Sequence, residues 1–369
     1  MSVTSRPAAA DAAGSRSSRF GWDGVIAAVA FSLLLGACGP AGAASTGSAA
    51  LSAASSPSAA SPSSGSSIPT AAPTGTITLY TSVQQPVVDP ILAAFKAAQP
   101  GVTVELFRAP TGELSARMAA EQRDGQIQGD VLWLTDPLSM QAWASQDVLL
   151  PWTPEHAAAL DETDQTETFW ASRVINMVIV RGTEATPAAA DWADLTDPGL
   201  RDAVALPDPA FAGSAFGALG YFGLAPEYGM GFYQRLRDNG VVQVKSPDEV
   251  TTGVAEGRFK AGITLDSSAR AAVTKGSPVE LVWPTSGAIA MYGPVGVVAG
   301  SKNEAAARAF VEFLLSPDGQ RVLGEAGQEP ILPDSGGPAP GGKQVRPDWP
   351  AVFGQQQQLL DQYQAIFGG

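Results

Sequence analysis

The stretch Leu206 to Leu219, LPDPAFAGSAFGAL, carries residue types suited to holding an anion without a metal. Two prolines break the backbone, so a helix beginning near Gly213 leaves its first N–H groups unpaired and pointing outward. Such an end attracts phosphate, phosphonate or carboxylate through those N–H groups and the positive end of the helix dipole. Gly213, Ser214 and Ala215 are its first residues, and the Ser214 hydroxyl adds a further donor. An ordinary loop-to-helix junction capped by serine has the same local sequence, so the chemistry needs support from elsewhere in the chain. Three groups give it: Thr81-Ser82 with Gln84, Thr135-Asp136, and Asp266-Ser267-Ser268 each follow a short apolar run and precede a helical pattern. Hydroxyl-rich turns at several strand ends are best explained by one shared pocket, in which Asp136, Asp208 or Asp266 would accept an amine.

Composition narrows the partners. The 369 residues hold 22 Lys+Arg against 36 Asp+Glu, a net charge of −14, which argues against nucleic acid or an anionic membrane surface. One cysteine excludes an intrachain disulfide, and one histidine, His156, excludes most histidine-based metal centres. An anchored hydrolase is disfavoured because Ala212 stands where a nucleophile elbow at Ser214 needs glycine, and His156 reads as a surface residue at the start of a short helix. No catalytic residue, metal or cofactor is therefore expected. A purely adhesive or structural module is the remaining class, and it would leave the hydroxyl turns unexplained.

The elements that must position these residues alternate. Arg6, Arg16 and Arg19 precede an apolar run, Val25 to Leu35, too short to span a bilayer but suited to a secretory signal over residues 1–37. Residues 38–74 are almost wholly Ala, Ser, Gly, Pro and Thr and read as a flexible tether. From Gly75 onward the pattern is strand, helix, strand, helix, strand, helix: Thr76 to Tyr80 alternates, Val88, Ile91, Leu92 and Phe95 recur at helical spacing, and Val102, Val104 and Leu106 alternate again. Asp130 to Leu134 then delivers Thr135-Asp136, and Ala261 to Leu265 delivers Asp266-Ser267-Ser268 ahead of a helix predicted over 269–275. Phe169 to Val180 is a near-continuous apolar run, suited to a sheet covered on both faces. Ser246-Pro247-Asp248-Glu249 and Ser301-Lys302-Asn303-Glu304 read as capping boxes, and Gln355 to Phe367 as a final helix. The alternation predicts an α/β fold with a mostly parallel sheet, whose ligands bind beyond the carboxyl ends of its strands.

Two sets of local motifs carry resemblances to known families. Leu35-Gly36-Ala37-Cys38 resembles the bacterial lipobox, which implies lipidation of Cys38 and anchoring of a monomeric, extracellular lipoprotein to the outer face of the cytoplasmic membrane. Leu79-Tyr80-Thr81-Ser82, Asp130 to Trp133 with Asp136-Pro137, Asp191 to Leu195 with Asp197-Pro198, Leu206 to Pro209 with Gly213 to Phe216, Pro284 to Gly287, and Asn303 to Gln320 together resemble the solute-binding proteins of ABC importers. The similarity is to the family that includes binders of ferric iron, phosphonate, sugar phosphate and thiamine. It implies a periplasmic-binding-protein-like fold of type II: lobe 1 over 75–174, lobe 2 over 175–287, and a return to lobe 1 with C-terminal helices over 288–369. It also implies ligand binding in the cleft by lobe closure and delivery to a membrane permease. Iron-binding members supply tandem tyrosines where this chain has Ser267-Ser268, and a histidine and glutamate where it has Gln84 and Thr135, while Gly213-Ser214-Ala215 retains the anion segment. Without those metal ligands the resemblance points to a phosphonate or phosphate ester, such as an aminoalkylphosphonate or a sugar phosphate. Ferric iron, thiamine and a polyamine are the alternatives within the same fold.

Overall fold

The computed structural model describes residues 72–368; the expected signal segment, Cys38 and the expected tether up to residue 71 lie outside the described residues. The first part follows the expected alternation: β1 (Gly75–Thr81), α1 (Gln85–Ala98), β2 (Val102–Arg108), α2 (Thr111–Arg123), β3 (Val131–Trp133) and α3 (Pro137–Ala144). A long strand, β4 (Trp170–Gly182), then leads to β5 (Val204–Pro207), α4 (Gly213–Leu224), α5 (Gly229–Asp238), β6 (Val242–Val244), α6 (Pro247–Ala255), β7 (Ala261–Leu265), α7 (Asp266–Thr274) and β8 (Val279–Val282). A second long strand, β9 (Ala288–Val297), returns to α8 (Glu304–Leu315), α9 (Pro317–Glu325), β10 (Glu329–Pro330), β11 (Gln344–Val345), α10 (Trp349–Phe353) and α11 (Gln356–Phe367).

All strands join one sheet in the order β2-β1-β3-β9-β4-β7-β5-β6, with β8 and β10 paired to β4 and β11 to β9. The parallel triplets β2-β1-β3 and β7-β5-β6 are separated by the antiparallel pair β9 and β4. Register shows what this does. Trp133, the last residue of β3, pairs with Val295, which pairs with Trp170 of β4. Leu265, the last residue of β7, pairs with Met177 of the same strand. Residues 173–176 of β4 therefore bridge the gap between the carboxyl ends of the two parallel halves. Both halves direct their strand-to-helix turns toward that gap, where such sheets bind ligands.

The apolar periodicities supply the core, with Leu92, Val104 and Leu106 only partly buried. Val88, Ile91 and Phe95 of α1 are buried, and Phe95 meets Phe310 of α8 edge-on at 5.1 Å. On the other side Phe222 of α4 lies among Trp192, Tyr228, Phe232 and Tyr233. Leu359 and Tyr363 anchor α11, and Tyr363 packs on Tyr233 at 5.1 Å.

Two local expectations are corrected. Asp266, Ser267 and Ser268 form the first turn of α7 and not a turn ahead of it, because Leu265 goes straight from extended backbone into the helix as its N-cap. Ser301 does not cap α8: Asn303 occupies the N-cap, and the Ser301 hydroxyl donates to Asp130 Oδ1 while accepting from the Asn303 N–H. Ser246 does cap α6, accepting from the Glu249 N–H at 3.2 Å, with Pro247 next. His156 lies half-buried in a short 3-10 helix, 3.1 Å from Glu312 of α8.

Candidate functional site

Of the predicted site residues, the structure brings Ser82 to Thr135, Gln84 to Ser268 and Gly213 to Asp136 across the gap between the sheet halves. At the end of β1 the backbone turns through Ser82, Val83 and Gln84. Thr81 itself points into the protein: its hydroxyl donates to the Trp133 carbonyl at 2.6 Å and accepts from the Val83 N–H at 3.1 Å, and the side chain is buried. It shapes the turn and has no free group to offer a ligand. Ser82 faces the other way, with its Oγ 3.2 Å from the Thr135 hydroxyl, which lies 3.4 Å from the hydroxyl of Thr111 at the start of α2. Sequence reading missed Thr111; a threonine after Ala109-Pro110 looks like any helix start.

At the end of β3, Asp136 is the N-cap of α3. Its Oδ1 accepts the Ser139 N–H at 2.7 Å, and Pro137 sits where no N–H is required. Its Oδ2 is buried with no partner among the described residues. Burial pushes the Asp136 carboxyl up to about 6, offset in part by the N–H groups of the α3 first turn.

Opposite lies the α4 N-terminus. Ala212 is its N-cap and no side chain caps it, and Gly213, Ser214 and Ala215 are buried in the first turn. Space there is tight, because a Cβ on Gly213 would collide with Asp136 Oδ2 and would lie 2.7 Å from Thr111 Oγ1. The same approach is held next door by the Gly112 N–H donating to the Phe211 carbonyl at 3.2 Å. Gly213 is thus required by close approach between the two halves. Gly213→Ala is expected to cost about 1–3 kcal/mol through overpacking, although alanine ordinarily favours a helix over glycine. A urea midpoint left unchanged or raised would show that this junction opens freely.

At the end of β7, Ser268 donates to Asp248 Oδ1 at 2.5 Å, and Gln84 Nε2 reaches across the gap to Ser268 Oγ at 3.1 Å and Asp248 Oδ1 at 3.3 Å. Gln84 therefore latches the two halves together. Asp266 is tied to Arg270 at 2.6 Å, and burial holds its carboxyl above the usual range. Asp208 caps its own loop, accepting from the Ala210 N–H at 2.8 Å.

The bridging segment of β4 adds polar groups not predicted as ligands. Asn176 Nδ2 donates to Glu329 at 2.7 Å and its Oδ1 accepts from Gln344 at 2.8 Å. Arg173 is buried between these halves, and among the described residues no carboxylate pairs with it. A charged residue inside the run FWASRVINMVIV was the available signal, since a strand needing only apolar faces has no use for arginine. Among the described residues no three His, Cys, Asp or Glu side chains gather as a metal set, and no helix is long and apolar enough to cross a membrane.

Two parallel half-sheets joined by crossing strands, with polar turns facing across the gap, define a two-lobed binding protein of the type II periplasmic class. The chain belongs to the bacterial extracellular solute-binding protein family, whose model matches residues 77–329. An uncharacterized protein of Haemophilus influenzae is 25% identical over 268 residues, covering 69% of this chain and 76% of its own. A spermidine/putrescine-binding periplasmic protein of Salmonella typhimurium is 30% identical over 139 residues, covering 36% of this chain and 40% of its own. Among solved structures, the periplasmic binding protein AfuA from Actinobacillus pleuropneumoniae, with exogenous fructose-6-phosphate bound, superposes with a TM-score of 0.71 at 19% identity, covering 79% of this chain and 98% of its own. Iron-bound HitA from Pseudomonas aeruginosa superposes with a TM-score of 0.67 at 18% identity, covering 79% and 99%. The protein is thus an extracellular solute-binding protein.

Proposed function

We propose that this solute-binding protein captures a small anionic organic solute, a phosphonate or phosphate ester, in the gap between its halves. The observation that carries this reading is the α4 N-terminus, which no side chain caps and which meets the Thr111 hydroxyl beside Asp136 Oδ2, with the Thr135 hydroxyl 3.4 Å beyond that of Thr111. Free N–H groups and hydroxyl donors are what a tetrahedral oxyanion needs. Ser82, Thr135, Gly213, Ser214, Ala215, Ser267 and Ser268 are the ligand-facing residues, and Gln84 closes the gap over the solute. The lobes take the boundaries 75–174, 175–287 and 288–369, hinged at the bridging residues of β4 and β9. Closure around the solute presents one joined surface to the permease. Cys38 carries the lipid that holds a monomer at the outer face of the cytoplasmic membrane.

The purified protein should show thermal stabilisation growing with 2-aminoethylphosphonate or fructose 6-phosphate as RT ln(1 + [L]/Kd), about 2.7 kcal/mol at a hundredfold excess over Kd. No response to any phosphonate or phosphate ester would sink the proposal. A second reading, a polyamine, is favoured by the unpaired Asp136 Oδ2 and by the spermidine/putrescine-binding relative. Spermidine in the same screen, stabilising where the anions do not, would select it.

A further inference from the structure

We infer that Arg173 is the charge partner of the solute's anionic group, set in the floor of the gap between the lobes; this rests on the anionic-solute reading above. Position is given by register. Arg173 pairs with Gly293 of β9, in the bridging stretch that begins beyond the end of β3 and stops where Met177 meets Leu265. Two residues along the same face, Ile175 pairs with Met291, and α4 crosses there, since a Cβ on Gly217 would lie 2.7 Å from the Met291 sulfur. The guanidinium occupies the space that Gly293 leaves empty: a Cβ at 293 would stand 3.2 Å from Arg173 Cζ and 3.1 Å from the Leu134 carbonyl oxygen. Leu134 opens the turn that carries Thr135 and Asp136. The cation therefore stands beside the turn that leads to the Asp136 carboxylate at the α4 N-terminus.

Its surroundings do not account for it as a structural residue. Arg173 is 1% exposed, and its Nε and Nη1 have no hydrogen-bond partner among the described residues. Arg181, Arg270 and Arg346 each meet a carboxylate within 3 Å, at 2.7, 2.6 and 2.9 Å. Among the described residues Arg173 meets the Trp133 ring, 5.2 Å from Cζ, which offers attraction but no acceptor for its N–H groups. A buried guanidinium without an acceptor is a net cost to the fold. Burial alone moves the Arg173 guanidinium down to about 9, with no carboxylate holding it up. A cost of this kind in the floor of a closing cleft is offset when an anion enters, which also makes closure depend on the anion. The same site then rejects a neutral sugar, because nothing would neutralise the charge as the lobes shut.

The test uses Arg173→Met and Arg173→Lys in the full chain, titrated calorimetrically with 2-aminoethylphosphonate, fructose 6-phosphate and inorganic phosphate, alongside the Tm of each ligand-free protein. Arg173→Met should raise the Kd of whichever of these anions the wild type binds at least a hundredfold, while the ligand-free Tm stays level or rises. A variant binding within threefold of the wild type would overturn the inference, as would a fall in ligand-free Tm with affinity intact, which is the pattern of a structural arginine. Should Arg173→Met not fold, Arg173→Lys decides: it keeps the charge but not the fork of donors, and at least a tenfold loss is expected, equal affinity being the contrary result. If the wild type binds none of the three anions, the anionic-solute reading fails by itself and takes this inference with it.

Discussion

Replacing Asp136 by asparagine is expected to stabilise the protein at pH 7 by about 3 kcal/mol and to change its stability below pH 4 very little. Burial lifts this carboxyl from 3.8 to about 6 in the folded chain. Between those two values the native state holds a proton that the unfolded state has lost, so stability falls as pH rises through the window and stays lowered above it. A shift of about two units corresponds to about 3 kcal/mol. Asparagine keeps the cap to the Ser139 N–H, being as good an N-cap as aspartate, and removes only the charge. Urea unfolding of both proteins at several pH values between 4 and 7 checks this through the difference between the two curves. Parallel curves would mean that Asp136 is solvated in the ligand-free protein and that the halves stand apart at Gly213.

Phe222→Ala is expected to cost about 3–5 kcal/mol, a large fraction of the total stability of a domain. The ring is fully buried and lies 4.6 Å from Phe232, 5.2 Å from Tyr228 and 5.3 Å from Trp192. These neighbours come from α5, the loop before it and the turn at 192–196, so no single element can collapse into the space left behind. Phe222 also sits about two and a half turns along α4 from Gly213. Losing it loosens the helix whose first turn faces the candidate site, and solute affinity should fall together with the urea midpoint. A loss below about 1 kcal/mol would show that the aromatic cluster repacks.

Legibility in the sequence followed the range of the forces involved. Strand and helix identities around Gly75 to Ala144 were readable because apolar periodicity is local, and Ser246 was readable as a cap because a cap bonds three residues away. Ser301 defeated the same reasoning: its hydroxyl is taken by Asp130, a partner 171 positions distant. Thr81 and Ser82 were equally plausible ligand residues as a pair, yet adjacent strand residues point to opposite sides, and only pairing with β3 determined that Thr81 turns inward.

By itself the chain determined that it would form an α/β fold with hydroxyl-rich turns at strand ends, and that α4 would start at Gly213 with unpaired N–H groups. Those features depend on residues within a few positions of one another. The tertiary structure alone decided that Asp136 faces that helix end, that Thr111 joins Thr135, that Gln84 reaches Ser268 and Asp248, and that Arg173 lies unpaired in the floor. Each of these is set by how two half-sheets, far apart in sequence, are brought edge to edge by β4 and β9. Which charges go unneutralised is a property of that meeting.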